Sequence, residues 1–457
     1  MKLKKFSLLS FCLSFSLIAF SGTIVYPWRA TTAIAKSGDS FEVWFNADAG
    51  QVVNAIELKA KYNTVSAKIK IERGSWVYDA TSQNTYNTKI TVKVPADAPA
   101  ERYDVVVNTN AGNVVSEAGL KVVKRYKSDY YILHISDLHA FQNKYPTTLS
   151  RLSTLVDIAN IINPELVFNT GDNLYRPSDE RMNALFAGDA KAGLKGLNQF
   201  NAATFTVAGN HDIDFDKVPD EGFYKEKAAW WNKWWGLQSY QFNYGNARFL
   251  AINNGWDGFN PAPQFTQTAQ WLSKQGAGNL RVGLAHIRNK EMAAFDSVAN
   301  LGLVLLGHNH HIANQNPSPL MDKAIQYIVN SMRDNMEFNL FKVDGETGKY
   351  TAVGGATAQV VYVENPDDSN APELYKPKLK VSYLNANDGS SDSNTATLQN
   401  KFNFAIQDAK VRFVMPQGKK YKVLGGEIEQ AFDGDGVHVV DVVVNVEANS
   451  LICISLK

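Results

Sequence analysis

The stretch Ile132-Leu-His-Ile-Ser-Asp137-Leu-His139 decides how the rest of the chain is interpreted. The apolar run from Tyr130 to Ile135 predicts a buried parallel strand. Asp137 and His139 follow its end, and their spacing lets both side chains point at one cation. Open α/β folds bind their ligands at the carboxyl ends of strands. A strand-to-loop turn can also hold Asp and His for local hydrogen bonding, so this stretch alone leaves both interpretations open.

Further polar groups follow later predicted strands in the same way. Asp172 follows Leu166 to Asn169, the group Gly209-Asn-His-Asp212 follows Thr204 to Val207, His286 follows Leu280 to Ala285, and Gly307-His-Asn-His310 follows Leu301 to Leu306. Helical spacing of apolar residues separates some of these strands. The alternation predicts a layered α/β domain over residues 127–345, with one site along one rim of its sheet.

The residue types in this set indicate a metal centre. Imidazole and carboxylate groups suit zinc, iron and manganese, and the lack of cysteine in the set argues against softer metals. Two such cations can activate one water and clamp the oxygens of a phosphoryl group. Each motif alone is most often structural, whereas the whole set in this order is very hard to reach by chance and predicts a metal centre.

At this point the sequence resembles the calcineurin-like metallophosphoesterase superfamily, over residues 128 to about 345. The resemblance implies a four-layer α/β/β/α sandwich that binds two metal ions (Mn, Fe or Zn). It also implies the ligands. The first metal would take Asp137, His139 and His310, the second would take Asn210, His286 and His308, and Asp172 would bridge both.

The resemblance further implies attack by a metal-bound hydroxide, with His211 as the general acid. An acid of this kind typically contributes about 10²–10⁴-fold in rate. Asp212 could orient His211 or could serve a structural or solvent role. Asn210 and Asn173 are candidates for contacting the bound phosphate, although Asn173 could instead cap the following turn. Arg288 could reach a phosphate oxygen or lie on the surface.

One element resembles a different branch of the superfamily. Gly171-Asp-Asn-Leu-Tyr175 matches the element with which purple acid phosphatases supply a tyrosinate to iron. Those enzymes lack the His of the Asp-x-His motif, whereas this chain keeps His139. We therefore favour a phosphodiesterase. The alternatives are a purple-acid-phosphatase-like phosphomonoesterase and a non-catalytic surface protein that binds phosphorylated ligands.

The cluster Trp230-Trp-Asn-Lys-Trp-Trp235 admits two interpretations. It could form an aromatic wall over the site, where a base or an apolar leaving group would stack. Alternatively, Trp231, Trp234 and Trp235 could pack a cap onto the sheet, which is the interpretation we favour.

The flanking regions alternate with the period of two that is typical of β-strands. Residues 36–126 predict an immunoglobulin-like β-sandwich, and residues 346–457 predict a C-terminal β-domain. Neither region shows catalytic motifs. A spacer or packing role is the simpler expectation, and association with a cell surface is the other.

The N-terminus predicts export. Met1-Lys-Leu-Lys-Lys5 is a charged start, the stretch Phe6 to Phe20 is largely apolar, and Ala33-Ile-Ala35 is a cleavage signal. Residues 1–35 are thus predicted to be a signal peptide of a secreted, periplasmic or cell-surface protein. An uncleaved anchor is the alternative, although the apolar run is short for a membrane span.

The net charge and the length of the chain limit which partners we expect. The chain has 457 residues and a formal net charge of +1, and no basic block indicates a nucleic-acid groove. We expect a small phosphoester as the substrate.

Overall fold

The computed structural model describes residues 22–142, 148–175, 177–213, 223–256, 260–310, 313–315, 324–355, 359–361 and 376–457. It contains an N-terminal β-region, a central α/β region and a C-terminal β-region. The elements below are numbered in chain order.

The N-terminal region is an eight-stranded sheet with hydrogen bonds that are antiparallel except between β2 and β8. Its strands are β1 (Thr23–Tyr26), β2 (Ala33–Lys36), β3 (Ser40–Asn46), β4 (Val53–Ala60), β5 (Asn63–Val77), β6 (Thr85–Lys93), β7 (Arg102–Thr109) and β8 (Gly112–Val123). They follow the order β1-β3-β6-β5-β4-β7-β8-β2.

Alternating side chains of these strands share one hydrophobic core. Val43, Ile56, Val92, Val105 and Leu120 are all buried in it. The long strand β5 joins the two halves of the sheet, because its first residues pair with β4 and its later residues pair with β6. Strands β3 to β8 fall where the period of two predicts them, whereas β1 and β2 lie in the stretch that was assigned to the signal peptide. The immunoglobulin-like assignment stays a prediction.

The segment from residue 23 to residue 36 lies inside the fold, so cleavage after residue 35 would remove β1 and most of β2, and the predicted end of the signal peptide stays a prediction. Strand β1 pairs with β3 and strand β2 pairs with β8. Between them, residues 30–32 add to the central region, where Thr206 N donates to Ala30 O at 2.9 Å. The sequence pattern of Ala33 and Ala35 resembles a cleavage signal, but both side chains are buried because they face the core.

The central region contains two six-stranded sheets. The first has β9 (Asp129–Ile135), β10 (Leu166–Asn169), β11 (Ala203–Thr206), β18 (Glu337–Asp344), β19 (Tyr350–Ala352) and β20 (Gln359–Val360). The second has β12 (Tyr240–Tyr244), β13 (Ala247–Ala251), β14 (Leu280–Leu284), β15 (Leu303–Leu306), β16 (Ala313–Gln315) and β17 (Ile325–Ile328). Strands β9, β10 and β11 are mutually parallel, and so are β13, β14, β15 and β17.

The described helices of the central region are α1 (Thr148–Ile162), α2 (Asp179–Ala187), α3 (Phe223–Trp234), α4 (Ala262–Gln275) and α5 (Lys290–Ala299), with short 3-10 turns at Leu197–Gln199 and His211–Ile213. One core joins the facing sides of the two sheets, including Phe168 of the first and Phe249 of the second. Leu155 of α1 packs on the outer side of the first sheet, and Phe295 of α5 packs on the outer side of the second. Helices thus pack on the outer sides of both sheets, and the four-layer sandwich stays a prediction.

The central region extends beyond the predicted boundary at residue 345. Strand β19 pairs with β18, and so does β20, although their residues were expected to open the C-terminal domain. The period of two is the same in both regions, so the sequence pattern does not show to which sheet a strand belongs.

The C-terminal region consists of two antiparallel sheets. One has the order β21-β22-β27-β24 and the other has the order β23-β26-β25. The strands are β21 (Leu379–Tyr383), β22 (Asn394–Asn400), β23 (Ile406–Pro416), β24 (Val423–Leu424), β25 (Glu427–Gly434), β26 (Val437–Val446) and β27 (Ser450–Leu456). Helix α1 packs against β21 and β23, so this region covers the helical layer of the first central sheet.

Buried polar contacts join the three regions. The guanidinium of Arg102 donates to the carbonyl of Ala202 at 2.9 Å and to that of Arg29 at 2.9 Å. Arg412 of the C-terminal region pairs with Glu101 of the N-terminal sheet and with Asp441 on β26. These contacts hold the flanking regions against the central one. Among the described residues, no helix combines the length and apolarity needed to cross a bilayer.

The packing of β1 and β2 predicts a large difference in unfolding free energy between two truncated chains. A chain that starts at Gly22 keeps both strands, whereas one that starts at Lys36 loses them and uncovers the apolar faces of β3 and β8. Full burial of one large aliphatic side chain contributes about 1.5–3 kcal/mol. We expect the shorter chain to lose at least about 3 kcal/mol of unfolding free energy in urea titrations. Equal midpoints and slopes for the two chains would show that the segment does not stabilise the fold.

Candidate metal centre

The predicted site residues meet because parallel strands of both sheets end at the same rim. Asp137 and His139 follow β9, Asp172 follows β10, Asn210 and His211 follow β11, His286 follows β14, and His308 and His310 follow β15. The first sheet thus supplies one half of the site and the second sheet supplies the other half. Asp137 Oδ2 joins the halves by accepting the backbone N–H of His308 at 3.0 Å.

The first cluster contains Asp137, His139 and His310. Asp137 Oδ1 lies 3.1 Å from His310 Nε2 and 3.8 Å from His139 Nε2. The two imidazole Nε2 atoms are 3.3 Å apart. These are the three residues that the resemblance implies for the first metal.

The second cluster contains Asp172, His286 and His308. Asp172 Oδ2 lies 3.3 Å from His286 Nε2. The amide oxygen of Asn210 adds a further donor atom, 3.2 Å from His286 Nε2 and 3.0 Å from His308 Nδ1. The residues implied for the second metal are thus side by side.

Asp172 lies between the two clusters. The same Oδ2 atom that faces His286 is 3.7 Å from His139 Nε2 in the first cluster. Its other oxygen accepts the backbone N–H of His211 at 2.8 Å. This is the position that a bridging carboxylate needs, and the bridging role stays a prediction.

The donor set fits metal ions. Asp137 Oδ1 is buried and accepts no hydrogen bond from the described residues, although two imidazole nitrogens face it. Ligand atoms placed tetrahedrally at about 2.0–2.2 Å from a cation lie roughly 3.3–3.6 Å from one another. The spacing of the nitrogens and oxygens in both clusters is close to this value. A cation in either cluster would therefore coordinate the imidazole nitrogens and carboxylate oxygens that face each other there.

Hydrogen bonds outside the clusters select the ring atoms that face inward. His286 Nδ1 is 2.5 Å from the carbonyl oxygen of Thr170, to which it can only donate, and this leaves Nε2 as the inward lone pair. Burial opposes a charge on His286, but the carboxylate of Asp172 raises its pKa to about 9. His310 Nδ1 lies 3.1 Å from Asp334 Oδ2 in the same kind of arrangement.

The loops that carry the site have unusual backbone conformations. Asp137, His139, Asp172, His308 and His310 all have positive φ, between 39° and 71°. Non-glycine residues adopt this region rarely, and such strain is typical of functional sites. The local sequence does not predict these conformations, because they are imposed by contacts between loops.

Asp212 is bound by backbone groups of three residues. Its carboxylate accepts backbone N–H groups from Asn173 at 2.7 Å and from Asp172 and Gly209 at 2.9 Å each. Burial and the neighbouring Asp172 carboxylate raise the pKa of Asp212 to about 7. Through these contacts Asp212 ties the loops after β10 and β11 together, and its orientation of the His211 ring stays a prediction.

Asn173 also has buried polar partners. Its side chain is fully buried, where it accepts a hydrogen bond from Asn169 and lies 3.4 Å from an Asp212 oxygen. These contacts are of the kind that the alternative, a local structural role, requires, and the phosphate contact of Asn173 stays a prediction. Arg288 is half-buried just after His286, and its contact with substrate stays a prediction.

His211 lies beside the first cluster and is half-buried. The centroid of its ring is 5.2 Å from that of His139, in an edge-on arrangement. Since its backbone is bound by Asp172, its position is tied to that of the bridging candidate. The role of general acid stays a prediction.

The tryptophan cluster packs into the core. Trp231 and Trp235 are buried and stacked with centroids 5.5 Å apart, and Trp234 is also buried. Trp235 contacts Phe186 of α2 with centroids 4.8 Å apart. The alternative of an aromatic wall built by these three rings is therefore wrong.

Two contributors were missed from the sequence, Asp334 and the carbonyl of Thr170. Asp334 follows β17, which is parallel to β15 and ends at the same rim. The sequence pattern could have identified Asp334, since Asn330-Ser-Met-Arg-Asp334 is one more polar group that follows an apolar run. A backbone carbonyl such as that of Thr170 leaves no residue-specific signal in a sequence.

Comparison with known proteins agrees with this geometry. The calcineurin-like phosphoesterase family matches residues 130–311, which include both clusters. Residues 130–311 form a calcineurin-like phosphoesterase domain. The family depends on two metals, and the domain carries two candidate metal clusters. No curated protein matches the chain.

Several solved structures resemble the phosphoesterase domain or more of the chain at low identity. A purple acid phosphatase from yellow lupin seeds is 12% identical, covers 70% of this chain and 72% of its own, and has a TM-score of 0.39. A dimetal phosphatase from Danio rerio is 12% identical, with coverages of 49% and 95% and a TM-score of 0.30. An archaeal phosphodiesterase is 14% identical, with coverages of 49% and 98% and a TM-score of 0.24.

The contacts of Asp212 predict a measurable cost when its charge is removed. In Asp212→Asn the new NH₂ group faces backbone donors, so at least one buried N–H loses its acceptor. A buried unsatisfied group costs about 1–3 kcal/mol. We expect the metal-free variant to lose about that much unfolding free energy in denaturant titrations.

His211→Ala is the matched control, because it leaves all three backbone hydrogen bonds in place. We expect its metal-free stability to stay within about 0.5 kcal/mol of the wild type. If Asp212→Asn were as stable as this control, the proposed tie between the loops would be wrong.

Proposed function

We propose that the phosphoesterase domain hydrolyses phosphate esters, with phosphodiesters favoured, by using two metal ions of manganese, iron or zinc. The observation that carries the proposal is the pair of clusters joined by Asp172, with His211 beside them. Asp137, His139 and His310 would hold one ion, and Asn210, His286 and His308 would hold the other. When bound, such ions activate water and neutralise charge on the phosphoryl group.

The chain's own residues have separable tasks in this proposal. Asp172 keeps the clusters at a fixed separation and holds the backbone of His211. The protonated ring of His211 donates its proton to the leaving oxygen as the phosphorus–oxygen bond breaks. Because His211 is half-buried, it can reach a substrate while staying beside His139.

Phosphodiesters are favoured over the purple-acid-phosphatase alternative because of His139. Its imidazole lies 3.3 Å from that of His310 and so occupies the place in the first cluster for which a tyrosinate would otherwise be needed. Tyr175 is half-buried after β10, and the proposal gives it no ligand role.

We also propose that the chain is exported. The charged start and the apolar run Phe6 to Phe20 support this, and the packing of β1 favours a leader that ends before Thr23. Ala19 and Ser21 are small residues with the spacing that signal peptidases accept. The test is the intact mass of the protein recovered outside the cytoplasm. The mass of a chain that starts at Lys36 would contradict cleavage before Thr23.

The function is tested by initial rates with bis-p-nitrophenyl phosphate and p-nitrophenyl phosphate, with the metal content measured on the same sample. We expect two metals per chain and faster hydrolysis of the diester. Faster hydrolysis of the monoester, with iron and a charge-transfer colour, would favour the purple-acid-phosphatase alternative. Binding of both esters without turnover would favour the non-catalytic phospholigand-binding protein.

His211→Ala separates the general acid from the metal ligands. We expect it to keep both metals and to lose about 10²–10⁴-fold in the rate of phenyl diester hydrolysis. The loss should be smaller with p-nitrophenyl diesters, because p-nitrophenolate needs less protonation to leave. Loss of metal, or an equal rate loss for both leaving groups, would contradict the role of His211.

A further inference from the structure

The described contacts of the turn Ser331 to Asp334 with the site are to the first cluster. Its backbone is bound to the loop that carries Asp137, since Met332 N donates to Ser136 O at 3.1 Å and Arg333 N donates to Asp137 O at 3.1 Å. The hydroxyl of Ser331 adds a bond to the same Asp137 carbonyl at 3.0 Å. The turn is therefore fixed relative to one ligand of the cluster.

The side chains of the turn contact another ligand of the same cluster. Asp334 Oδ2 lies 3.1 Å from His310 Nδ1. Two nitrogens of the Arg333 guanidinium donate to Asp334, one to Oδ1 at 2.9 Å and the other to Oδ2 at 2.7 Å. A third nitrogen of Arg333 donates to Gln142 at 3.0 Å, so the guanidinium is itself anchored.

His310 needs such support because it is the most exposed member of its cluster. Its side chain is 24% exposed, against 4% for His139 and 0% for Asp137. Burial and bonds to neighbouring backbone groups hold the two buried ligands. His310 lies on a loop with positive φ, and its outer ring nitrogen meets only the polar groups of Arg333 and Asp334 among the described contacts.

The neutral His310 ring has two tautomers, and Asp334 and Arg333 can each form a hydrogen bond to one of them. A ring that offers Nε2 to a cation carries its proton on Nδ1 and donates to Asp334. A ring that carries its proton on Nε2 faces Asp137 Oδ1 at 3.1 Å, and Arg333 can then donate to the bare Nδ1 at 3.0 Å. The carboxylate thus favours the state that binds metal.

We propose that Asp334, anchored by Arg333, is the positioning residue that sets the metal affinity of the first cluster through His310. This proposal rests on the proposed dinuclear centre. Among the described contacts, the side chains of the turn do not bond to His286 of the second cluster, which is fully buried and is oriented by the Thr170 carbonyl. Asp334 therefore acts on one of the two metals.

The experiment measures manganese retained by the full chain against a competing chelator, with paramagnetic resonance spectra of the same samples. We compare the wild type with Asp334→Ala, which removes the acceptor, and with Asp334→Asn, which keeps an oxygen but loses the charge. Asp129→Asn is the matched control, because Asp129 is an exposed acid at the opposite end of β9.

Removing a partner of a metal-binding histidine typically weakens metal affinity by about 10–100-fold. We expect Asp334→Ala to weaken one manganese site by about this factor and to leave the other unchanged, with Asp334→Asn in between. The spectrum of a coupled manganese pair should give way to that of an isolated ion. The control should match the wild type.

Two results would overturn the proposal. One is a variant Asp334→Ala that retains both metals with wild-type affinity, and the other is an equal loss at both sites, which would indicate general destabilisation. A wild type that binds no metal would instead refute the dinuclear centre itself, so the two failures are distinguishable.

The role of Arg333 follows from the same assay. Since Arg333 acts through Asp334, we expect Arg333→Met to weaken the first site in the wild type and to add little in the Asp334→Ala background. Fully additive effects would mean that Arg333 supports the site by another route, which would remove it from the proposal.

Discussion

The Asp212 carboxylate is the interaction on which the geometry of the site depends. It is buried, and it collects backbone N–H groups from the loops after two neighbouring parallel strands, β10 and β11. A buried acceptor with several donors holds loops more firmly than packing does, because leaving any of these groups unpaired costs free energy. Asp172 and His211 take their positions from this tie, and Asp172 in turn faces both metal clusters.

The second requirement is close contact between the two sheets of the phosphoesterase domain. Their shared core brings the loop of Asp137 against the loop of His308, and a hydrogen bond joins them. Gly307 makes this approach possible, since a Cβ at that position would overlap the side chain of Ser136. Gly209 has the same purpose on the other side, where a Cβ would overlap Asp172. Glycines in these motifs thus serve the spacing between loops.

The flanking regions stabilise the phosphoesterase domain from outside the site. Residues 30–32 extend its first sheet beyond β11, and the C-terminal region covers α1. Arg412 lies between acids of two different regions and so favours one relative arrangement of them. An edge strand that is already paired cannot pair with another molecule. The two flanking β-regions therefore stabilise the phosphoesterase domain through these contacts.

The sequence by itself determined the type of central fold and the identity of the ligand candidates. Apolar runs that end in Asp, Asn or His are local signals, and the rim at which parallel strands end brings such groups together. Only the tertiary structure decided the contacts of Asp212, Asn173 and Asp334 and the placement of residues 23–36 and of β19. These depend on which loop or strand lies opposite, and a contact between residues distant in the chain has no local pattern. Burial then decides whether a polar side chain faces substrate or supports a loop.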